Sequence, residues 1–469
     1  MTSTTIRSSD DRRKFIKQGV AASVGLSVAG REVLSQERVA THNRSSKPVR
    51  VGFVGVGVKG STHVGNLLRM EGVELQAVCD IVEQQCVETQ AQAERLGKPK
   101  PAAYFRGDWD FRRMCESEEL DLVYTATPWR WHTPVMLAAM NNGSHAATEV
   151  PAAVTLEECW ELVETAEKTG KHCVMMENVN YQRIEMAIWR MVREGVFGEV
   201  VHNEGSYLHD TRWLKANDFG DGLWLGEHHA RRNGCLYPTH GIGPLAWYLN
   251  LGRGDRMEYL VSMSSNSRGC DLYMQEHLPA EHPKRKRSYA NGDVNTCLIR
   301  TASGVSIEVK HDTDLPRPYS RGTLVQGTRG IVRRFPEFKI CLEGDSHHHK
   351  WESGDAYSER YEHPLWKQVR EESLGSVARG GHGPITKDAV WDYDPAVELR
   401  NGDFLEDYRL IEALRTEVDP DFNVYDAAAW SAIAPLSEQS VANRSVAVDF
   451  PDFTKGKWKT APPLRILGV

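Results

Sequence analysis

Val49-Arg50-Val51-Gly52-Phe53-Val54 runs directly into Gly55-Val56-Gly57-Val58-Lys59-Gly60. The first six residues read as a buried strand, and the next six form a complete G-x-G-x-x-G. A helical pattern follows from Ser61 to Met70. A second strand, Glu74 to Cys79, ends at Asp80, twenty residues after Gly60. Strand, glycine motif, helix, strand and terminal acid in this order predict a dinucleotide-binding βαβ unit, which a glycine motif alone does not. Gly55 permits the tight turn, Gly57 lets the backbone approach a pyrophosphate, and Gly60 allows close helix–strand packing. The helix start offers unpaired N–H groups and positive potential to the phosphates. Asp80 can accept hydrogen bonds from ribose hydroxyls and disfavours an extra phosphate there, so NAD is the expected cofactor. Gly55, Gly57, Lys59, Gly60 and Asp80 are its expected contacts.

The alternation continues outward. A helix over Glu83–Leu96 precedes a strand at Leu122–Ala126, which ends in Thr127-Pro128-Trp129-Arg130-Trp131-His132. The strand at His145–Thr148 ends in Glu149-Val150-Pro151. The helix Leu156–Thr169 leads to a strand at His172–Met176, ending in Glu177-Asn178. Polar residues thus gather at the carboxyl ends of parallel strands, where a doubly wound sheet binds ligands. From about Gly198 the pattern becomes a run of strands: Val200–Leu208, Glu258–Ser265, Asn295–Thr301, Val305–His311, Gly322–Gln326 and Ile331–Phe335. One helix, roughly Gly241–Asn250, interrupts them. The expected fold class is an α/β Rossmann domain followed by an α+β domain with an open, mostly antiparallel sheet. Two helical segments close the chain, Phe404–Arg415 and Tyr425–Gln439, the second packing back on the first domain.

Composition narrows the class. The chain has 469 residues, 40% hydrophobic and 26% charged, ordinary for a globular protein. No apolar run is long enough to span a bilayer. Residues 1–31 hold six Lys/Arg against two Asp/Glu, so the remainder is more acidic than the net −7 of the whole, a poor match to nucleic acid. Arg12-Arg13-Lys14-Phe15-Ile16-Lys17 before the apolar Gly19–Gly30 reads as a twin-arginine export leader, with periplasmic or extracellular destination. The expected division is leader 1–31, linker 32–47, NAD-binding domain 48–178, substrate and oligomerisation domain 179–424, and a C-terminal helix and tail 425–469. Nine scattered cysteines, an odd number without C-x-x-C, read as buried small hydrophobes. Lys284-Arg285-Lys286-Arg287 and His347-His348-His349 read as solvated loops, and no metal site is expected.

A Rossmann half followed by an open-sheet half resembles the Gfo/Idh/MocA oxidoreductases over residues 48–440. Many of those carry Glu-Lys-Pro where this chain has Glu149-Val150-Pro151, and an Asp four residues before an active-site His where this chain has Leu236 before His240. Glu149-Val150-Pro151-Ala152-Ala153, Met176-Glu177-Asn178-Val179 and, most specifically, Tyr237-Pro238-Thr239-His240-Gly241-Ile242-Gly243-Pro244 are similar to glycoside hydrolase family 109, a branch that includes α-N-acetylgalactosaminidases. Trp129-Arg130-Trp131-His132 and Pro316-Arg317-Pro318-Tyr319 match as well. One departure stands out. The branch is expected to carry an Arg shortly after the residue matching Trp224. This chain has Leu225, with Arg231 and Arg232 as nearby substitutes.

The resemblance implies hydrolysis of an α-linked N-acetylgalactosamine or related glycoside. The C3 carbon is oxidised transiently, C2 is deprotonated, the C1 substituent is eliminated, water adds, and the hydride returns with no net oxidation. This differs from the two-carboxylate route of most glycosidases. His240, Tyr237 and Tyr319 are the implied catalytic residues, with His240 or an ionised tyrosine as base. Tyr207, Tyr237, Pro238, Thr239, His240 and Tyr319 are implied to contact substrate. Trp129, His132, Glu149, Val150, Asn178 and Tyr237 join the cofactor contacts, and Trp129, Trp131 and Trp224 flank the crevice. The implied partners are a small-molecule glycoside and a second copy of the chain through the open sheet. Two alternatives stay open: a sugar or cyclitol dehydrogenase, and a non-catalytic NAD-loaded sugar-binding protein.

Overall fold

The computed structural model describes residues 47–371 and 395–466. The leader and nearly all of the linker read in the sequence lie outside the described residues. Strands β1 (Val49–Val54), β2 (Val73–Cys79), β3 (Ala102–Tyr104), β4 (Leu122–Thr125), β5 (His145–Thr148) and β6 (Cys173–Met175) form one parallel sheet in the order β3-β2-β1-β4-β5-β6. Helices α1 (Val58–Leu67), α2 (Glu83–Arg95), α3 (Asp110–Ser117), α4 (His132–Asn141) and α5 (Leu156–Thr169) make the crossovers. The reversal of strand order falls between β1 and β4, which places a ligand crevice at their carboxyl ends.

Local chemistry sets the element ends. Thr155 accepts from the Glu158 backbone N–H at 3.2 Å while Glu158 accepts from the Thr155 N–H, a capping box worth about 1 kcal/mol. Gly170, at φ +66°, ends the same helix in the left-handed region that glycine occupies without strain. Strand β3 and helix α3 carry no sequence signal of their own. β3 is three residues long, and α3 has a narrow apolar stripe of Phe111, Met114 and Cys115 on an otherwise charged helix.

The second sheet has nine strands: β7 (Val200–Leu208), β8 (Met257–Ser264), β9 (Asn295–Thr301), β10 (Ser306–Asp312), β11 (Leu324–Gly327), β12 (Gly330–Arg333), β13 (Lys339–Leu342), β14 (Glu352–Ser353) and β15 (Val448–Asp449). Their order is β14-β13-β12-β11-β7-β10-β9-β8-β15, and β7–β10 is the parallel pair in a mostly antiparallel sheet. More than one helix interrupts these strands. Besides α6 (Arg183–Arg193) before them and α7 (Thr239–Tyr248) among them, short helices occupy Arg212–Ala216, Leu225–Arg231 and Gly269–His277. These are too short for a hydrophobic period to mark them.

Three C-terminal helices complete the fold: α8 (Pro395–Thr416), α9 (Val424–Ser431) and α10 (Ile433–Ala442). α9 lies on α5 and β6, α10 lies on β8, and α8 lies on α1 and the turn at Asn178–Tyr181. The tail therefore ties both sheets together. All nine cysteines are free and eight are buried. His347, His348 and His349 are exposed. The basic run is not a solvated loop throughout: Lys284 is buried and its Nζ donates to the carbonyls of Asn217 and Gly222 and pairs with Asp218 at 3.2 Å. It fastens the loop 217–222, whose Gly220 lies beside Val58 at the start of α1.

Candidate functional site

The glycine motif adopts the geometry its spacing implies. Gly55 has φ +82°, and a Cβ there would press on the Ala126 backbone at 3.0 Å. A Cβ on Gly60 would run into the Gly55 carbonyl oxygen, so glycine is required for α1 to sit this close to β1. A Cβ on Gly57 would meet no protein atom within 4 Å. The first turn of α1 has no side-chain cap. Asp80 accepts from the N–H of Val56 at 3.0 Å and of Val82 at 2.9 Å, so it holds the glycine turn while standing at the end of β2. Burial raises its pKa. An open cradle at Gly57, uncapped helix N–H groups and a carboxylate at the neighbouring strand end fit the pyrophosphate and ribose of NAD.

Beside this cradle lies a cluster of ionised groups supplied partly by α8. Lys59 pairs with Asp403 at 2.8 Å and Glu149 at 3.3 Å. His63, fully buried, contacts Asp407 through Nδ1 at 2.9 Å and Glu149 through Nε2 at 2.8 Å. Burial alone pulls the His63 pKa down, but Asp407 and the hydrogen bond to Glu149 more than reverse it, and it rises to about 10. The imidazolium and Lys59 hold Glu149 well below the usual carboxylate range against the opposing effect of burial. His63, Glu406 and Asp407 stand close enough to share one ion, yet both nitrogens of His63 already face carboxylates. Glu406 is buried with neither oxygen hydrogen-bonded among the described residues, and burial with the charges of Glu149 and Asp403 pushes its pKa well up. Asn178 donates to Asp403 at 2.5 Å and leaves its buried Oδ1 without a partner among the described residues, an acceptor that suits a carboxamide.

The aromatic site forms where α7 meets β7. Gly205 and Gly241 touch backbone to backbone: a Cβ on Gly205 would strike the Gly241 carbonyl oxygen, and one on Gly241 would lie 2.7 Å from the Ser206 nitrogen. That approach brings the Tyr207 and His240 rings to 5.4 Å. Gly243 does the same for the first sheet, since a Cβ there would lie 2.8 Å from Glu177 Cγ. His240 Nδ1 consequently stands 2.6 Å from Glu177 Oε1, on a carboxylate that is fully buried. Burial lowers the His240 pKa below 6.5, with Glu177 opposing and Arg321 adding to the fall. A neutral ring then donates Nδ1–H to Glu177 and keeps Nε2 as a proton acceptor. The side chain retains 11% of its surface.

Tyr237 stacks on Trp129, with centroids 5.4 Å apart and planes 12° from parallel, and meets Tyr207 at 4.8 Å and His240 at 4.9 Å. Burial, then the charge side of Tyr207, Glu149 and Glu177, holds its pKa well above that of free tyrosine. Tyr207, whose hydroxyl lies 3.2 Å from His209 Nδ1, is raised by burial too. Neither is an ionised base at neutral pH; both are phenols, able to donate a hydrogen bond. Tyr319 accepts a hydrogen bond from Arg321 Nε and packs edge-on to His209 at 5.2 Å.

Other expected residues make contacts within the protein. His132, expected beside the cofactor, is buried with Nδ1 2.6 Å from the Pro151 carbonyl and Nε2 2.7 Å from that of Thr127. It braces the two loops that flank the crevice. Trp131 packs edge-on to Trp109 at 4.8 Å, and Trp224 meets Trp129 at 5.3 Å. Val150, Pro238 and Thr239 are buried; the Pro238 carbonyl accepts from the Gly241 and Ile242 N–H groups at 2.9 Å and so starts α7. Arg231 and Arg232 do not replace the arginine absent at Leu225. Arg231 pairs with Glu227 at 2.5 Å, and Arg232 is tied to Glu438 at 2.6 Å and the Val154 carbonyl.

Comparison with known proteins places this geometry. Residues 49–177 match the family model described as oxidoreductase family, NAD-binding Rossmann fold. Residues 181–460 match the C-terminal domain of glycosyl hydrolase 109. Glycosyl hydrolase family 109 proteins from Shewanella pealeana and Shewanella baltica are each 42% identical to the chain, covering 98% of it and 99% of their own length. Among solved structures, an NAD binding oxidoreductase from Klebsiella pneumoniae is similar with TM-score 0.64 and 17% identity, over 86% of this chain and 99% of that one. Levoglucosan dehydrogenase in complex with NADH and levoglucosan gives TM-score 0.62 at 20% identity, over 87% of this chain and all of that one. These two likenesses establish the fold.

Proposed function

The chain belongs to glycosyl hydrolase family 109, and from that premise we propose that it is an NAD-dependent glycosidase acting on an α-linked N-acetylgalactosamine or related glycoside without net redox change. The observation that carries this reading is the Glu177–His240 pair, set among phenols beside an NAD-binding fold. When bound, NAD supplies a hydride acceptor at C3 of the sugar and returns that hydride at the end of the cycle. Loss of that hydride from C3, with the C3 hydroxyl proton passing to solvent, would leave a carbonyl at C3, and a carbonyl there acidifies the proton on C2. His240 Nε2 takes that proton, and the buried charge of Glu177 stabilises the imidazolium that forms. Tyr207 and Tyr237, held as phenols, donate to sugar oxygens and to the charge that builds on them. Trp129, buried and stacked on Tyr237, holds that ring in place at the site. The C1 substituent leaves with a proton, water adds its hydroxyl to C1 of the C1–C2 double bond, and C2 is reprotonated through His240 with a proton exchanged with solvent.

No helix among the described residues is long and apolar enough to cross a membrane. The twin-arginine leader read in residues 1–31 adds export to the proposal. An exported enzyme has no supply of fresh NAD, and a reaction that recycles its hydride needs none. A screen of nitrophenyl glycosides, followed at the phenolate and NADH wavelengths together, tests the function. Phenolate release with no rise in NADH is expected. NADH produced in step with turnover, without phenolate release, identifies a dehydrogenase instead.

A further inference from the structure

Arg321 is 2% exposed, and among the described residues no carboxylate lies within ion-pair distance of it. The other buried arginine, Arg334, pairs with Glu185 at 2.5 Å, and the partly buried Arg253 and Arg409 pair with Asp426 at 2.7 Å and Asp421 at 2.8 Å. Arg321 instead donates Nε–H to the Tyr319 hydroxyl, with its guanidinium carbon 5.3 Å from that ring. Its Nη1 is buried with no acceptor among the described residues. Its charge is felt by Tyr207, His209 and His240, the groups of the aromatic site. A buried, unpaired cation is costly, and proteins rarely keep one without a partner. Of the negative groups in the site, Glu177 holds His240 through Oε1 and has its Oε2 without a partner among the described residues, and Asp210 pairs with Arg212 at 2.7 Å; neither is within ion-pair distance of Arg321. The phosphates of NAD belong at the uncapped start of α1, in the other sheet's half of the molecule.

We propose that Arg321 receives an oxyanion substituent of the substrate, so that the preferred glycoside is an acidic one, carrying a carboxylate or a sulfate ester. The inference rests on the glycosidase reading and narrows its substrate class. A guanidinium fixed at Nε by Tyr319 presents its two Nη groups as a fork, which matches the two oxygens of a carboxylate or two of a sulfate. Tyr319 then acts by aiming Arg321 as well as by contacting sugar.

The test compares nitrophenyl N-acetyl-α-galactosaminide with its 6-sulfate and with the corresponding α-galacturonide, on the NAD-loaded enzyme and on Arg321→Gln and Arg321→Lys. The expected result is a kcat/KM at least tenfold higher for one or both acidic glycosides than for the neutral parent. Arg321→Gln removes that preference and Arg321→Lys keeps part of it. Which acidic glycoside is favoured separates carboxylate from sulfate. Equal use of neutral and acidic glycosides by the parent enzyme, or an equal loss on both in Arg321→Gln, overturns the inference. If no glycoside is cleaved, the glycosidase reading fails separately. Thermal shift then decides the role of Arg321: stabilisation by galactose 6-sulfate or galacturonate but not galactose, absent in Arg321→Gln, supports it, and no difference overturns it.

Discussion

His240 Nδ1 stands 2.6 Å from Glu177 Oε1, joining residues 63 positions apart across the boundary between the two sheets. Glu177 fixes the tautomer that leaves Nε2 free and partly offsets the burial that lowers the His240 pKa. Glu177→Gln removes both effects. The expected outcome is a fall in kcat of roughly 10²- to 10⁴-fold with KM little changed. Because His240 must be neutral to accept a proton, the acid limb of the parent's rate profile lies below pH 6.5. Loss of the carboxylate moves that limb lower still. A pH–kcat profile of both proteins checks this, and a limb that does not move means Glu177 only fills space.

The parts of this site that local spacing controls were legible in the sequence. β1, the glycine turn, α1 and Asp80 lie within 32 residues, and each position is dictated by backbone approach to a phosphate or a ribose. Tyr237 and His240 share one short motif, and Tyr207 sits in a strand that the sequence marks as Val200–Leu208. Glu177 was visible as a polar strand end but not as a partner of His240, because their contact depends on the bare backbone of Gly243. Asp403, Glu406 and Asp407 were not legible at all. On a charged helix they look like a solvated face, and only the packing of α8 against α1 buries them beside Lys59 and His63. Lys284 was misread for the same reason, since the backbone carbonyls that hold it come from a loop 62 to 67 residues away.

Gly57 and Gly60 separate cofactor binding from folding. Alanine at 57, where φ is −74°, meets only open space in the protein, so Gly57→Ala should keep its melting temperature and lose at least about tenfold in NADH affinity. Alanine at 60 collides with the Gly55 carbonyl and should cost about 1–3 kcal/mol of stability. Thermal denaturation with NADH fluorescence titration of both variants reads the two effects. An unchanged affinity in Gly57→Ala contradicts the placement of the pyrophosphate.

The buried imidazolium of His63 ties stability to pH. Its pKa is about 10 in the folded chain against 6.5 unfolded. A raised folded pKa means the stabilisation is fully present below pH 6.5 and is lost as pH rises toward 10. Its size is on the order of a few kcal/mol. The melting temperature should therefore decline between pH 7 and 10, and the decline should be shallower in His63→Gln. Equal slopes in the two proteins contradict a charged His63.

The central claim is that the glycosidic bond breaks after C2 gives up its proton, with the hydride returned before product leaves. Hydrolysis of a cleaved nitrophenyl glycoside in deuterated water, with the released sugar examined by NMR, tests it most directly. Deuterium at C2 of the product, with no NADH left behind, is the predicted result. Release of the sugar with C2 still fully protonated contradicts the account.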